Sequence, residues 1–208
     1  YKLNLTNWFD IVQHFLNIGI FEQNIPNNSF LKEFNCNNSN NSNNSNNSNN
    51  LINILVRNCY RPSYFSKHIN SILSQTYKYY KLIYFYDDDD CLKFLNNYKD
   101  VIDILFKVKD IDNTIECFYN LYCNELLEFV KDGWILFLDD DDMLFNINVL
   151  EDVNKKLYND NNLILWKYRL PSKNIYPYIY NIEKNLIASS GYCFHSKFKD
   201  LSSWEITQ

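Results

Sequence analysis

The chain has 208 residues, a formal net charge of −5 and 46% hydrophobic residues, enough to bury the core of one medium domain. The acidic balance leaves no basic footprint for a nucleic-acid backbone, and no run approaches the roughly 18 uninterrupted apolar residues of a membrane-spanning helix. Six cysteines without a CxxC pair form no regular framework and read as reduced, buried thiols. With neither an initiator Met nor a charged-then-apolar leader, the sequence is expected to be part of a longer chain.

In chain order, residues 6–21 open on a capping Thr6 and space Trp8, Ile11, Val12, Phe15 and Leu16 at helical intervals. That is one amphipathic helix, too small to enclose a core of its own. Residues 36–50 read CNNSNNSNNSNNSNN, with no apolar side chain to offset the entropy of ordering. The expected organisation is an N-terminal helical segment over 1–34, a disordered Asn/Ser linker over 35–50 and a main domain over 51–208.

Beyond the linker the periods alternate. Leu51 to Val56 predicts a strand, and Ser63 to Gln75, with Phe65, Ile69, Ile72 and Leu73 on one stripe, a helix. Lys81 to Tyr86 predicts the second strand, Cys91 to Tyr98 a helix and Val101 to Val108 the third strand. Thr114 to Lys131 is the longest helical pattern. Trp134 to Leu138 (WILFL) is a continuous buried-strand run, followed by a helix near Asn148 to Tyr158 and a strand at Leu163 to Tyr168. Alternating strands and helices predict an open, mostly parallel α/β sheet flanked by helices, Rossmann-like in its crossovers. Ligands of such sheets sit beyond the carboxyl ends of the strands.

Two acidic runs fall at such ends: Asp87 to Asp90 after the second strand, and Asp139 to Asp142 after WILFL. Clustered carboxylates repel unless a cation or hydrogen-bond donors offset them. For the second run a divalent cation is the economical partner, because D-x-D spacing offers alternate hard oxygen donors to magnesium or manganese. The first run has an equally good structural account as a cap for the helix at Cys91. Arg61-Pro62 opens the first helix, where Pro fits the first turn.

The segment NILVRNCYRPSYFSKHINSILSQTYKYYKLIYFYDD resembles the opening of the family 2 glycosyltransferases: strand, N-R-P-like turn, helix ending S-I-L-x-Q-T-Y, and a strand closed by Asp. NLYCNELLEFVKDGWILFLDDDDML is similar to that family's later helix and D-x-D strand, so the resemblance spans Leu51 to Leu144. It implies the GT-A fold, a nucleotide-diphosphate sugar donor, a UDP-sugar before others, and bound Mn2+ or Mg2+. Carried over by position, it places Asp87 at the donor base, with Asp88, Arg61 and Asn124 beside the donor. It puts Asp139 and Asp140 at the ribose or metal and Asp141 as principal metal ligand. His195 is a further candidate ligand, and Ser189 to His195 a candidate lining of the acceptor side. The acceptor, whether glycan, protein or lipid, is not specified. Four Asp after Tyr86 replace the family's D-D-G-S turn, and Cys59-Tyr60 replace a small polar residue and Asn. Inversion requires a carboxylate that takes the acceptor proton. Asp200 and Glu205 are the candidates before the chain stops, and the base is expected to lie beyond Gln208.

Two rival readings remain. A non-catalytic module could keep the same fold and nucleotide site without the base. An apolar strand ending in D-x-D also describes the aspartyl nucleophile of haloacid-dehalogenase-like phosphatases, but there that strand opens the domain and here it comes fourth.

Overall fold

The computed structural model describes residues 31–34, 50–58, 61–108, 118–169, 175–176 and 189–201. The helix expected over 6–21 and the Asn/Ser tract up to residue 49 lie outside them.

A seven-stranded sheet organises the chain, in the order β1-β6-β9-β5-β2-β3-β4. Its strands are β1 (Leu31–Phe34), β2 (Ile52–Arg57), β3 (Tyr80–Tyr86), β4 (Ile104–Lys107), β5 (Trp134–Asp139), β6 (Leu163–Trp166) and β9 (Tyr192–His195). A separate two-stranded ribbon joins β7 (Tyr168–Arg169) to β8 (Ile175–Tyr176). The pairs β2·β3, β3·β4 and β2·β5 are parallel. β9 runs antiparallel between β5 and β6, and β1 antiparallel on the outer edge of β6. The expected open, mostly parallel α/β sheet is therefore present. Two strands of the seven-stranded sheet escaped the sequence pattern, β9 and β1, and β1 adds residues 31–34 to the sheet of the main domain.

Side chains explain the layers. Ile52, Ile54 and Val56 of β2 and Trp134, Leu136 and Leu138 of β5 point to one face. Phe65, Ile69 and Ile72 of α1 (Pro62–Leu73), Cys91 and Leu95 of α2 (Asp89–Leu95), and Leu150 and Val153 of α4 (Val149–Asn154) cover that face. Leu55, Ile135 and Phe137 point to the other, under Tyr122, Cys123, Leu126 and Leu127 of α3 (Phe118–Glu128). Central strands buried on both faces are apolar at consecutive positions, which is why WILFL reads as an unbroken run and LINILV as one interrupted only by the buried, hydrogen-bonded Asn53. Each fully buried aliphatic side chain contributes about 1.5–3 kcal/mol.

The turn into β5 depends on Gly133. Its φ is +88°, and a Cβ there would stand 2.6 Å from the Leu51 carbonyl oxygen. Asn53 fixes the same corner by donating to the carbonyls of Asp132 (2.8 Å) and Trp134 (3.1 Å).

Candidate functional site

The chain winds from β2 through β3 to β4 on one side of β2 and then returns to place β5 on its other side. Open α/β sheets bind ligands at such a reversal, in the crevice beyond the carboxyl ends of the strands, here those of β2 and β5. Arg57 and Asp139, the last residues of these strands, are partners in register across it.

Arg57 Nε donates to Asp139 Oδ1 (2.6 Å) and Arg57 Nη2 to Asp139 Oδ2 (2.5 Å). This two-point, charge-assisted fork is the strong geometry for an arginine and a carboxylate. Nη2 also donates to Ser189 Oγ (3.1 Å), just ahead of β9. The Arg61 backbone N–H donates to Asp140 Oδ2 (3.3 Å), and its guanidinium pairs with both Asp140 and Asp141. The four acids thus differ sharply in environment. Asp140 is fully buried, Asp139 is 25% exposed and Asp141 43% exposed. Burial raises the Asp142 carboxyl above its ordinary value, opposed by a hydrogen bond from Ser190.

Behind the run stands His68, which sequence reasoning missed. Its Nδ1 lies 2.8 Å from the Asp142 carbonyl oxygen and its Nε2 2.8 Å from the Tyr84 hydroxyl. A carbonyl only accepts, so Nδ1 carries the proton and Tyr84 donates to Nε2. Burial, first among the causes, lowers the His68 pKa, which keeps the ring neutral in this role. A signal existed: with Phe65, Ile69 and Ile72 it follows helical spacing, a polar residue within an apolar stripe. Arg57 carried no comparable local signal, because its partner is 82 residues away.

The Q-T-Y segment proves to be a clasp for the chain after the acidic run. Gln75 Nε2 donates to the Asn146 carbonyl (2.6 Å) and its Oε1 accepts from Leu150 N–H (3.0 Å). Thr76 N–H donates to the Ile147 carbonyl (2.8 Å), and Tyr77 Oη to that of Asn50 (2.6 Å). Ser71 Oγ accepts from Leu144 N–H (3.1 Å), so residues 142–150 are laid along α1 by contacts at several points.

The first acidic run has a different fate. Asp88 is the N-cap of α2, accepting from Cys91 N–H at 2.7 Å, and Asp89 and Asp90 fill the first turn. Asp87 ends exposed at the same sheet edge as the second run. Asn58, buried at the end of β2, donates to Cys91 Sγ. Burial, followed by the charges of Asp87 and Asp88, pushes the Cys91 thiol up to about 12, and Cys123 is likewise pushed to about 12 by burial. Both thiols stay protonated and serve as packing, not as nucleophiles. Asn124 is half-buried on α3, next in sequence to Cys123, whose sulfur meets Arg57.

Two expected site residues are carried away from the crevice. β9 runs opposite to β5, so His195 stands across from Trp134 at the amino end of β5. Five residues of strand put it about 16 Å from Asp139, too far to share a metal. There its Nδ1 accepts from Lys197 N–H (3.3 Å), and Asp132 and Asp160 lie near Nε2. Asp200 belongs to the turn that follows, tied to the same end by Ser196 N–H to the Gly133 carbonyl (2.8 Å) and Lys199 Nζ to the Val130 carbonyl (2.8 Å). It is not placed to take a proton at the crevice. Glu205 and Cys59-Tyr60 lie outside the described residues. Of the segment Ser189 to His195, only the start reaches the crevice, through Ser189 on Arg57 and Ser190 on Asp142.

Among the described residues no three His, Cys, Asp or Glu side chains converge as a preformed metal cage. Magnesium does not require one, since it binds through one or two carboxylates and completes its shell with water and phosphate oxygens. Asp141, hard, exposed and at the mouth of the crevice, fits that description.

Sheet order and helical layers together define an open α/β fold with helices on both faces of a mostly parallel sheet. Among solved structures, S. aureus TarS 1–349 in complex with UDP is similar over 72% of this chain and 48% of its own, with TM-score 0.54 and 13% identity. The TarS 1–349 complex with UDP-GlcNAc gives TM-score 0.54 and 13% identity over 72% and 46%. A further TarS structure gives TM-score 0.52 and 14% identity over 72% and 29%. The matched region spans less than half of each of those chains, and at such identities the likeness is one of fold. No protein-family model matches the chain, and no curated protein matches it in sequence.

Proposed function

We propose that this chain carries the donor site of a family 2-type glycosyltransferase, which moves a sugar from a nucleotide diphosphate to an acceptor hydroxyl with inversion. The observation that carries this reading is the placement of Asp139–Asp142 and two arginines at the topological switch point between β2 and β5. That crevice combines exposed hard oxygen with fixed positive charge, the pairing a metal-bound diphosphate calls for. TarS, similar in fold, has been crystallised with UDP and with UDP-GlcNAc, which favours a UDP-sugar here.

In this reading Asp141 holds a Mn2+ or Mg2+ ion together with the diphosphate. When bound, the ion neutralises charge developing on the leaving diphosphate. Arg61, 37% exposed and now on Asp141, is within reach of phosphate oxygens that approach the same carboxylate. Neutral His68 keeps the Asp142 carbonyl, and so the backbone of the acidic run, in one position. Asp87, exposed at the edge of β3, is assigned to the nucleobase side.

The test is calorimetric titration of UDP and GDP with and without Mn2+, for the wild type and Asp141→Ala. UDP is expected to bind with Mn2+, and Asp141→Ala to weaken that binding by about tenfold or more, roughly 1.4 kcal/mol. Binding of neither nucleotide under any metal condition would overturn the donor-site assignment and leave only a shared fold.

A further inference from the structure

The chain that follows the acidic run alternates between two fates. Asp142 and Leu144 are half-buried and tied to α1, through the Asp142 carbonyl on His68 Nδ1 (2.8 Å) and Leu144 N–H on Ser71 Oγ (3.1 Å). The Asn146 carbonyl is tied to α1's end by Gln75 Nε2 (2.6 Å). Met143, Phe145 and Ile147 stand between these anchors and are 57%, 69% and 52% exposed. A single exposed apolar side chain is ordinary, whereas three at alternate positions of one segment make a ridge. The anchors at His68 and Gln75 give it a length of roughly 10 Å at the rise of a helix. It starts at the mouth of the crevice and follows α1.

Residues 6–21 carry an apolar stripe and no core of their own, and β1 decides where they enter. β6 runs in the direction of β5, because each is antiparallel to β9. β1 is antiparallel to β6, with Leu31 opposite Trp166 and Phe34 opposite Leu163, so Leu31 stands at the carboxyl edge of the sheet. Trp166 marks that edge, since its Nε1 donates to the Ser190 carbonyl (2.8 Å) beside Ser189 on Arg57. The chain before Leu31 is therefore delivered to the edge that holds the crevice. Three strand spacings, about 14 Å, separate β1 from β5. The stretch from Phe21 to Leu31 reaches up to about 33 Å, enough to bring the stripe onto the ridge. The Asn/Ser tract leaves from Phe34 at the opposite edge and has no apolar side chain to offer.

We propose that residues 6–21 form a helix that lays its apolar stripe on Met143, Phe145 and Ile147, so that the N-terminal segment belongs to the main domain and walls the mouth of the crevice. Trp8, Ile11, Val12 and Phe15 fall at i, i+3, i+4 and i+7, the spacing by which a helix anchors one face on an apolar surface. Such a helix is about 24 Å long and spans the ridge. The docking needs neither metal nor nucleotide, so it stands or falls apart from the donor-site reading.

The test is amide hydrogen exchange followed by mass spectrometry on the 208-residue chain. A lone helix of this length is marginal in water, so slowed exchange over residues 10–21 reports docking. Two variants bracket the contact: Phe145→Ser with Ile147→Ser on the ridge, and Phe15→Ser with Leu16→Ser on the segment. In wild type those amides are expected to exchange at least about tenfold more slowly than unstructured chain, at any protein concentration. Each variant is expected to lose that slowing while the amides of β5 keep theirs. Fast exchange in wild type, or slowing that survives the ridge variant, overturns the proposal. Slowing that grows with protein concentration overturns it too, by making a second copy the occupant. A ridge variant that also exposes β5 counts against it, because those side chains would then belong to the domain's own packing.

Discussion

Two runs of four aspartates follow two parallel strands of one sheet, and they end up chemically unlike. Asp87–Asp90 follows β3, and three of its four members serve the start of α2. Asp139–Asp142 follows β5, faces Arg57 and Arg61 across the crevice, and sends Asp140 fully inside. Composition and strand context are the same, so the difference comes from the neighbours. β3 is flanked by β2 and β4 within an uninterrupted succession, whereas β5 sits where the strand order reverses. An acidic run there meets side chains from a strand some eighty residues away; elsewhere on the sheet it meets its own next helix.

The largest effect expected from breaking this contrast is at Arg61. Arg61→Met removes the guanidinium partner of the buried Asp140 carboxylate. It should cost about 3 kcal/mol, seen as a melting temperature lower by roughly 6–12 °C; a change of under 2 °C would mean that Asp140 does not depend on the ion pair.

Next comes the pH dependence that His68 confers on the second run. Its pKa is lowered on folding, so the unfolded chain binds the proton more readily and stability falls as pH drops below the ordinary histidine value near 6.5. The slope reaches at most about 1.4 kcal/mol per pH unit. Melting curves between pH 5 and 8 should show it in wild type and not in His68→Gln. Asp142, whose pKa is raised, acts in the opposite sense at lower pH, since its folded form takes up a proton first.

Smaller again is the first run. Asp88→Ala should cost about 1 kcal/mol as a lost N-cap. Asp90→Ala, which breaks only the exposed pair with Lys93 (3.0 Å), should be worth about 0.5 kcal/mol or less. If Asp88→Ala destabilised as much as Arg61→Met, the contrast between the runs would not hold.

The alternation of strand and helix was legible because each element obeys a local period. Trp134 to Leu138 is buried on both faces and so reads as an unbroken apolar run, Ile52 to Val56 as one interrupted only by Asn53, and Phe65, Ile69 and Ile72 mark the inner side of α1. The same locality placed both acidic runs at strand ends and gave Asp88 its alternative as a cap. β9 was not legible: Tyr192 to His195 is a short strand whose pairing with β5 and β6 is set by contacts remote in sequence. Its reversed direction carries His195 to the opposite end of the sheet. Q-T-Y showed as a family mark, but its work as a clasp for residues 146–150 depends on where that chain returns.

By itself, then, the sequence determined the alternating helices and parallel strands from β2 to β6, the α/β class and the two strand ends where acids gather, because periodicity and capping act within a few residues. Strand order was decided only by tertiary structure, and with it which acids meet arginine, which is buried and which remains open to a ligand. Those outcomes follow from burial and charge pairing between residues far apart in the chain, which no local pattern encodes.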